Sequence, residues 1–498
     1  MAVAVEDVGS LSFGEQSLTD TEVTVIDAPI VTVGGGLGSF AVADFLRISG
    51  VPKSDIRVIA PLSIPYATFA ERAAASQLGA LDRLRSDSMS RIDNIWGWPS
   101  YALSEALAER TVAPLLKVLT EPLMSEFFTP HVQTVLAGID REARRIGWDD
   151  MVVTAWAQVV RRRTEGGYFV LTRPIVPGGQ PVVYRTNYVH LALGYPSMRS
   201  LPDFTEFRRC CDAPGRMINA YEVHEEVYDQ LVQSPGRVLL RGSGIAACRI
   251  LERLIDDRER RGASTEIVHL FRHYVDGAAG SLFFRRRGGH GFAYQPFSFP
   301  KAAGGGQLRA RMLALPADER ARLVMRMGGT TTPRRRRWQR QLAGGRREGW
   351  YQARSGALLD VKLSPGQRLA AKLRTDDGTD LEFDVDFMID ATGLEDDIRL
   401  HTLLVDLLLS GGARINALGK LDVAATFEVC GTRSGSSRLY ASGAATLGGQ
   451  LAPVDSFWGL THAALEICDD LASQGVCEFL GGMRSISQWW RWIRNLEP

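Results

Sequence analysis

From residue 22 onward, short apolar and β-branched runs alternate with amphipathic stretches of helical spacing. Residues 28–33 read as a buried strand, 41–48 as a helix and 55–59 as a second strand, which together make one βαβ unit. Helical patterns follow over 101–145. Two alternating runs, 152–161 and 168–173, flank the turn Glu165, Gly166, Gly167 and predict an antiparallel pair. A further strand over 188–193 ends at Gly194. The βαβ pattern then recurs: strand 238–240, turn at Gly242, Ser243 and Gly244, helix 246–256, strand 266–271. Between 280 and 349 the pattern weakens into Gly- and Arg-rich sequence and reads as an insertion or connector. A strand pattern resumes at 381–389 and leads to a tryptophan-rich end. Beyond the two glycine turns we find no internal repeat.

Length and charge narrow the function classes. The 498 residues suffice for two or three domains and a sizeable core. The 58 basic and 57 acidic residues leave a net charge of +1, so the whole-chain charge indicates no nucleic-acid partner. Six scattered cysteines contain no CxxC pair and no metal-ligand spacing, which argues against a disulfide-reductase mechanism and a metal site. The first twenty residues lack the basic and apolar regions of a secretory signal, and no apolar run reaches the roughly 18 residues of a membrane span. A cytoplasmic protein with no membrane partner is the expectation.

The chemistry sits at the glycine turns. In Val31-Thr-Val-Gly34-Gly-Gly36-Leu-Gly38-Ser39, a strand delivers the chain to residues without Cβ. Backbone N–H groups there approach a pyrophosphate at the start of the next helix. Ser39 stands where a third glycine is usual and is small enough to keep helix and strand close. Tight packing at a strand-to-helix corner is the alternative reading. The second strand ends in Ala60-Pro61-Leu62-Ser63, without the carboxylate that usually holds a ribose. The second turn, Gly242-Ser-Gly244-Ile-Ala-Ala247, has the GxGxxA form. The strand after it ends in Phe271-Arg272-His273, where Arg272 suits a 2′-phosphate and favours NADPH over NADH; an ordinary solvated arginine is the alternative.

Taken in order, the turn at Gly34, the strand end Ala192-Leu-Gly194, the turn at Gly242 and the segment Asp390-Ala-Thr-Gly393 resemble class B flavoprotein monooxygenases. That group contains the flavin-containing, Baeyer–Villiger and N-hydroxylating enzymes, and the chain looks like a divergent member. The resemblance implies an α/β fold of two dinucleotide-binding, Rossmann-like domains, with the FAD domain discontinuous and the NADPH domain inserted in it. After a tail at 1–21, residues 22–200 and 381–498 would bind FAD. Residues 201–380, carrying an insertion at 280–350, would bind NADPH. It further implies hydride transfer from NADPH to FAD and a peroxyflavin that passes oxygen from O₂ to a small-molecule substrate. The family fingerprint FxGxxxH has only the counterpart Ala213-Pro-Gly215-Arg216-Met-Ile-Asn219, which weighs against Baeyer–Villiger activity and makes Asn219 a candidate site residue. Arg438-Leu-Tyr-Ala-Ser-Gly443 resembles the strand and turn that close over the flavin, and a helix over 458–470 would point its N-terminus at the flavin.

Some segments carry no named motif. The stretch from Arg83 to Tyr101 holds Arg85 and Asp87, candidate catalytic residues, and Trp96, a candidate cofactor contact; a polar loop capping the helix near Pro99 is the alternative. His290 and the run from Tyr294 to Phe297 read as pocket lining or as connector. The basic run 334–337, followed by Trp338, reads as a partner site or as a solvated helix start after Pro333. Two rival functions remain: a flavin-dependent reductase or dehydrogenase without oxygen insertion, and a non-catalytic binding module on the same fold. The oligomeric state is left open.

Overall fold

Two sheets, each built around a parallel strand that ends in a glycine turn, organise the chain in a computed structural model. It describes residues 12–13, 23–84, 100–120, 128–211, 213–272, 307–327, 336–364, 366–452 and 454–498. The first sheet collects β1 (Ser12–Phe13), β2 (Thr24–Asp27), β3 (Ile30–Val33), β4 (Ile56–Ala60), β5 (Val152–Arg163), β6 (Tyr168–Pro174), β7 (Val182–Thr186) and β8 (Tyr188–Leu191). After β9 (Ser197–Met198), the second sheet collects β10 (Met217–Asn219), β11 (Arg237–Arg241), β12 (Glu266–Phe271), β13 (Tyr351–Leu363), β14 (Leu369–Thr375), β15 (Asp380–Val385) and β16 (Phe387–Asp390). The short β17 (Leu394–Glu395) pairs antiparallel with β9, and β18 (Arg438–Ala441) returns to the first sheet.

The first sheet runs β18-β8-β3-β4-β5-β6-β7-β2, with β1 beside β5; the second runs β10-β16-β11-β12-β13-β14-β15. In each, the strand before the glycine turn lies between two parallel neighbours: β3 between β4 and β8, β11 between β12 and β16. Each of these strands is flanked on both sides and covered on both faces, so β3 is apolar but for Thr32 and β11 is apolar between its terminal arginines. All four residues of β3 are buried, as are all twelve of the helix α1 (Leu37–Ile48) that follows it. The chain is therefore an α/β protein with two Rossmann-like sheets, the second inserted between strands of the first.

α2 (Val132–Ile146) stops at Gly147, whose φ of 72° makes a left-handed C-cap. In the second unit α3 (Ile245–Arg261) covers the sheet. The crossover from β12 to β13 contains α4 (Gln307–Ala314), α5 (Ala317–Met327) and α6 (Arg336–Glu348). Met312, Leu323 and Val324 of α4 and α5 pack against Ala452, so this crossover also leans on the part of the chain that follows β18. α7 (Phe457–Ser473) packs along the first sheet, and α8 (Gly482–Ile493) follows it. Among the described residues no helix is long and apolar enough to cross a membrane.

Two sequence expectations need correction. The first strand starts at Ile30 rather than 28, because Pro29 offers no N–H to the ladder. The stretch 381–389 is two strands, not one: Asp386 breaks it, its carboxylate accepting from Arg237 N at 2.7 Å and pairing with Arg368 at 3.1 Å. β15 then lies at the sheet edge with alternating exposure, while β16 is buried throughout between β10 and β11.

Candidate functional site

The first turn begins where Gly34 N donates to Ile59 O of β4 at 2.9 Å and the backbone swings to a φ of 99°. A Cβ at Gly34 would stand 2.3 Å from Ala192 O, so only glycine lets β3 and the chain leaving β8 approach this closely. Gly36 is the N-cap of α1 at ordinary φ, with no side-chain cap, and its missing Cβ would meet nothing within 4 Å. Open space thus faces a helix N-terminus whose first amides have no intrahelical partner. Gly38 does the opposite job. Its Cβ would press on Ala192 Cβ at 3.0 Å and Ser442 Oγ at 3.2 Å, and it holds the helix against β8 and β18.

Beneath the turn lies a polar chain that sequence reasoning missed. Thr32 Oγ1 donates to Ser39 Oγ at 2.7 Å and meets His190 Nδ1 at 2.9 Å; His190 Nε2 meets Ser442 Oγ at 2.8 Å. With Thr32 donating to Ser39, the ring is assigned its proton on Nδ1, and Ser442 donates to Nε2. Burial pushes the His190 pKa down to about 3, so the ring is neutral. The chain ties β3, α1, β8 and β18 together and fixes Ser442 just before Gly443. The only available signal was a lone polar residue inside each apolar strand.

The second turn repeats the first. Gly242 N donates to Leu270 O at 2.8 Å, φ is 128°, and a Cβ would lie 2.3 Å from Ala391 O. Gly244 is the N-cap of α3, again without a side-chain cap. Here His269 holds the corner: Nε2 meets Gly242 O at 2.6 Å and Nδ1 meets the Tyr351 hydroxyl at 3.0 Å. Burial lowers its pKa to about 4.

Asp390 ends β16 fully buried. One carboxylate oxygen accepts from Thr392 N at 3.0 Å, the other stands 3.7 Å from Arg241, and burial raises its pKa despite both. Asn219, at the end of β10 beside Asp390, is 2% exposed. Its amide donates to Arg199 O and accepts from Tyr221 N, each at 3.0 Å, so it braces the crossing between the sheets. Gly393 O accepts from Arg199 N at 3.2 Å, and β9 pairs with β17, so the two connecting segments run side by side. Arg272 follows β12, exposed, at the same end of the sheet as Gly242.

The structure therefore gathers Gly34, Gly36, Gly38, Ser39 and Gly443 at one corner, and Gly242, Gly244, Arg272, Asp390, Gly393 and Asn219 at another. Arg85, Asp87 and Trp96 lie outside the described residues, as do His290 and 294–297. β4 ends at Ala60 and continues into Pro61, Leu62 and Ser63, so the strand end carries no carboxylate of its own. Glu105, Glu109 and His131 come within 4.8 Å of one another, but Arg83 already sits against them, 2.8 Å from Glu105 and 3.8 Å from Glu109. α7 is capped by Ser456, whose Oγ accepts from Gly459 N at 3.0 Å.

No family model matches the chain, and no curated protein matches its sequence. Solved structures do match over nearly its whole length. The FAD-bound cadaverine monooxygenase of the desferrioxamine pathway from Erwinia amylovora is 13% identical with a TM-score of 0.66, over 91% of this chain and 96% of that one. An ornithine N-hydroxylase from Kutzneria, solved with reduced FAD, NADP⁺ and L-ornithine, is 13% identical at a TM-score of 0.64, covering 90% and 100%. The ornithine hydroxylase of Pseudomonas aeruginosa is 14% identical at 0.60, covering 90% and 99%. The likeness is one of fold: the chain has the architecture of these monooxygenases and hydroxylases.

Proposed function

We propose that this chain is an FAD- and NADPH-dependent monooxygenase that hydroxylates a small molecule, with an aliphatic primary amine as the substrate class. The observation that carries the reading is the turn geometry made twice, each time ending in a helix whose N-cap is a glycine without a side-chain cap. Two such corners in one chain suit two dinucleotides. The amine follows from the fold shared with the cadaverine and ornithine enzymes.

In this reading residues 22–200 and 381–498 hold FAD and 201–380 hold NADPH. The amides at Gly36, Leu37 and Gly38 take the FAD pyrophosphate in the open space beside Gly36. Ser442 and Gly443, held by His190, form the adjoining wall. Gly242, Gly244 and the start of α3 take the NADPH pyrophosphate, and Arg272 takes its 2′-phosphate. Asp390 and Asn219 brace the crossing and so orient one corner against the other. The residues present fit a pyrophosphate at both corners; the FAD ribose lacks its usual carboxylate after β4. When bound, NADPH supplies hydride and FAD passes the electron pair to O₂. The side chains bind, orient and exclude water.

The test is a yellow purified protein whose NADPH oxidation needs O₂ and converts an added diamine or basic amino acid to its N-hydroxylated derivative. NADPH oxidation that proceeds equally with an artificial acceptor and without O₂, and yields no hydroxylated product, would point to a reductase instead. Protein that takes up no flavin on reconstitution would leave only the binding-module reading.

A further inference from the structure

α8 is mounted the wrong way round for a surface helix. Its sequence, Gly-Met-Arg-Ser-Ile-Ser-Gln-Trp-Trp-Arg-Trp-Ile, puts Met483, Ile486, Trp490 and Ile493 on one stripe at spacings of three and four. That stripe would ordinarily face the core. Here it faces out: Met483 is 89% exposed and Ile486 70%, with Trp489, Trp490 and Ile493 also exposed and Phe479 exposed just before the helix. The polar side is the one turned to the protein. Gln488 is 7% exposed, Arg484 Nε donates to Ile48 O at 3.0 Å, and Arg145 of α2 donates to Leu496 O at 3.2 Å. The first bond holds this side of the helix, and the second the chain just past its end, against the protein. A contiguous patch of this kind marks an interaction surface.

The charge around the stripe selects the partner. From 479 to 496 there is no acidic residue, while Arg484, Arg491 and Arg494 are present. Arg484 is ion-paired to Glu478 and Glu497 follows the segment, so residues 478–497, with three arginines and two glutamates, keep a net charge of +1. Arg494 lies over the Trp490 ring at 4.5 Å, and Arg141 of α2 over Trp492 at 5.2 Å. Pairing the stripe with a second copy would leave Arg491 and Arg494 without a carboxylate opposite them, because residues 479–496 carry none. A surface that is apolar at depth and anionic at its rim satisfies both features at once, with tryptophans at the boundary and arginines at the headgroups.

We propose that the outward face of α8 docks the protein on an anionic lipid membrane, as a helix lying in the interface. The test is co-sedimentation of the full chain with phosphatidylcholine vesicles with and without phosphatidylglycerol, at low and high salt. The expected result is at least roughly tenfold tighter binding to the anionic vesicles, weakened by salt, and lost in the double variant Ile486→Ser, Trp490→Ser. Both positions are exposed, so the variant should keep the wild-type circular dichroism and melting temperature. Three results would each overturn the proposal: no sedimentation of wild type with anionic vesicles at low salt, undiminished binding by the variant, or a wild-type dimer that the variant abolishes. The last would make the face a contact between copies.

Discussion

Gly34 and Gly242 stand in one and the same relation to the chain that leaves the neighbouring strand: a Cβ on either would lie 2.3 Å from a carbonyl oxygen, that of Ala192 or that of Ala391. Both also adopt a φ that costs any other L-residue about 1–2 kcal/mol. Both corners thus close around a missing side chain.

Gly34→Ala and Gly36→Ala should therefore fail in different ways. At Gly34 the methyl group meets backbone that cannot yield, so we expect a loss of more than about 2 kcal/mol in urea unfolding, with flavin loss as a consequence. At Gly36 φ is −85° and the space is open, so the fold should lose only about 0.5 kcal/mol. Flavin affinity should nevertheless fall at least tenfold, about 1.4 kcal/mol, because the methyl group enters the space assigned to the pyrophosphate. A stable Gly36→Ala protein with wild-type flavin retention would remove FAD from this corner.

His190 gives the protein an acid limit. Its folded pKa of about 3 lies below the ordinary histidine value, so the unfolded chain binds the proton more readily than the folded one. Its contribution is fully present above about pH 6.5 and is lost as pH falls toward 3, at up to about 1.4 kcal/mol per pH unit. His269, lowered to about 4, acts in the same direction. Stability measured by urea at successive pH values should decline already between pH 6.5 and 5, above the range of ordinary carboxylates. His190→Gln should flatten that limb. Parallel curves for wild type and variant would show that the ring is not the proton acceptor.

What the sequence made legible follows from local physics. β3 with α1 and β11 with α3 are readable because a largely apolar run ends on glycines and a run of helical spacing begins directly after them. The break at Asp386 was present as a change from alternating to continuous apolar residues, but a run that short does not say which sheet neighbours it will have. Thr32 and His190 are 158 residues apart, and their pairing exists only because β3 and β8 are neighbours. The inverted face of α8 is a matter of how its polar side is pinned, which periodicity alone does not reveal.

Asn219 separates bracing from chemistry. Its amide satisfies Arg199 O and Tyr221 N inside the crossing, so Asn219→Ala removes the side-chain partner of a partly buried carbonyl and a partly buried N–H. That should cost about 1–3 kcal/mol of stability. If its role is positional, Asn219→Gln, which keeps an amide donor and acceptor without adding a buried charge, should lose less than alanine. A full-strength fold with an abolished reaction in Asn219→Ala would place the amide at the reacting atoms instead.

Arg272 tests the second nucleotide, and its exposure sets the size of the effect. A charge-assisted contact to a phosphate is worth roughly 1.5–3 kcal/mol, but a guanidinium that begins in water keeps the lower end of that range. Arg272→Ala should raise KM for NADPH about tenfold, about 1.4 kcal/mol, and leave KM for NADH nearly unchanged, because only NADPH carries the 2′-phosphate. Since the contact is screened, the NADPH preference of the wild type should shrink as salt is added, whereas that of the variant should not. Turnover at saturating NADPH should stay the same, because a 2′-phosphate contact at Arg272 would lie at the far end of the nucleotide from the hydride. An equal rise in KM for both nucleotides would take Arg272 out of the site and leave the turn at Gly242 without its selectivity residue.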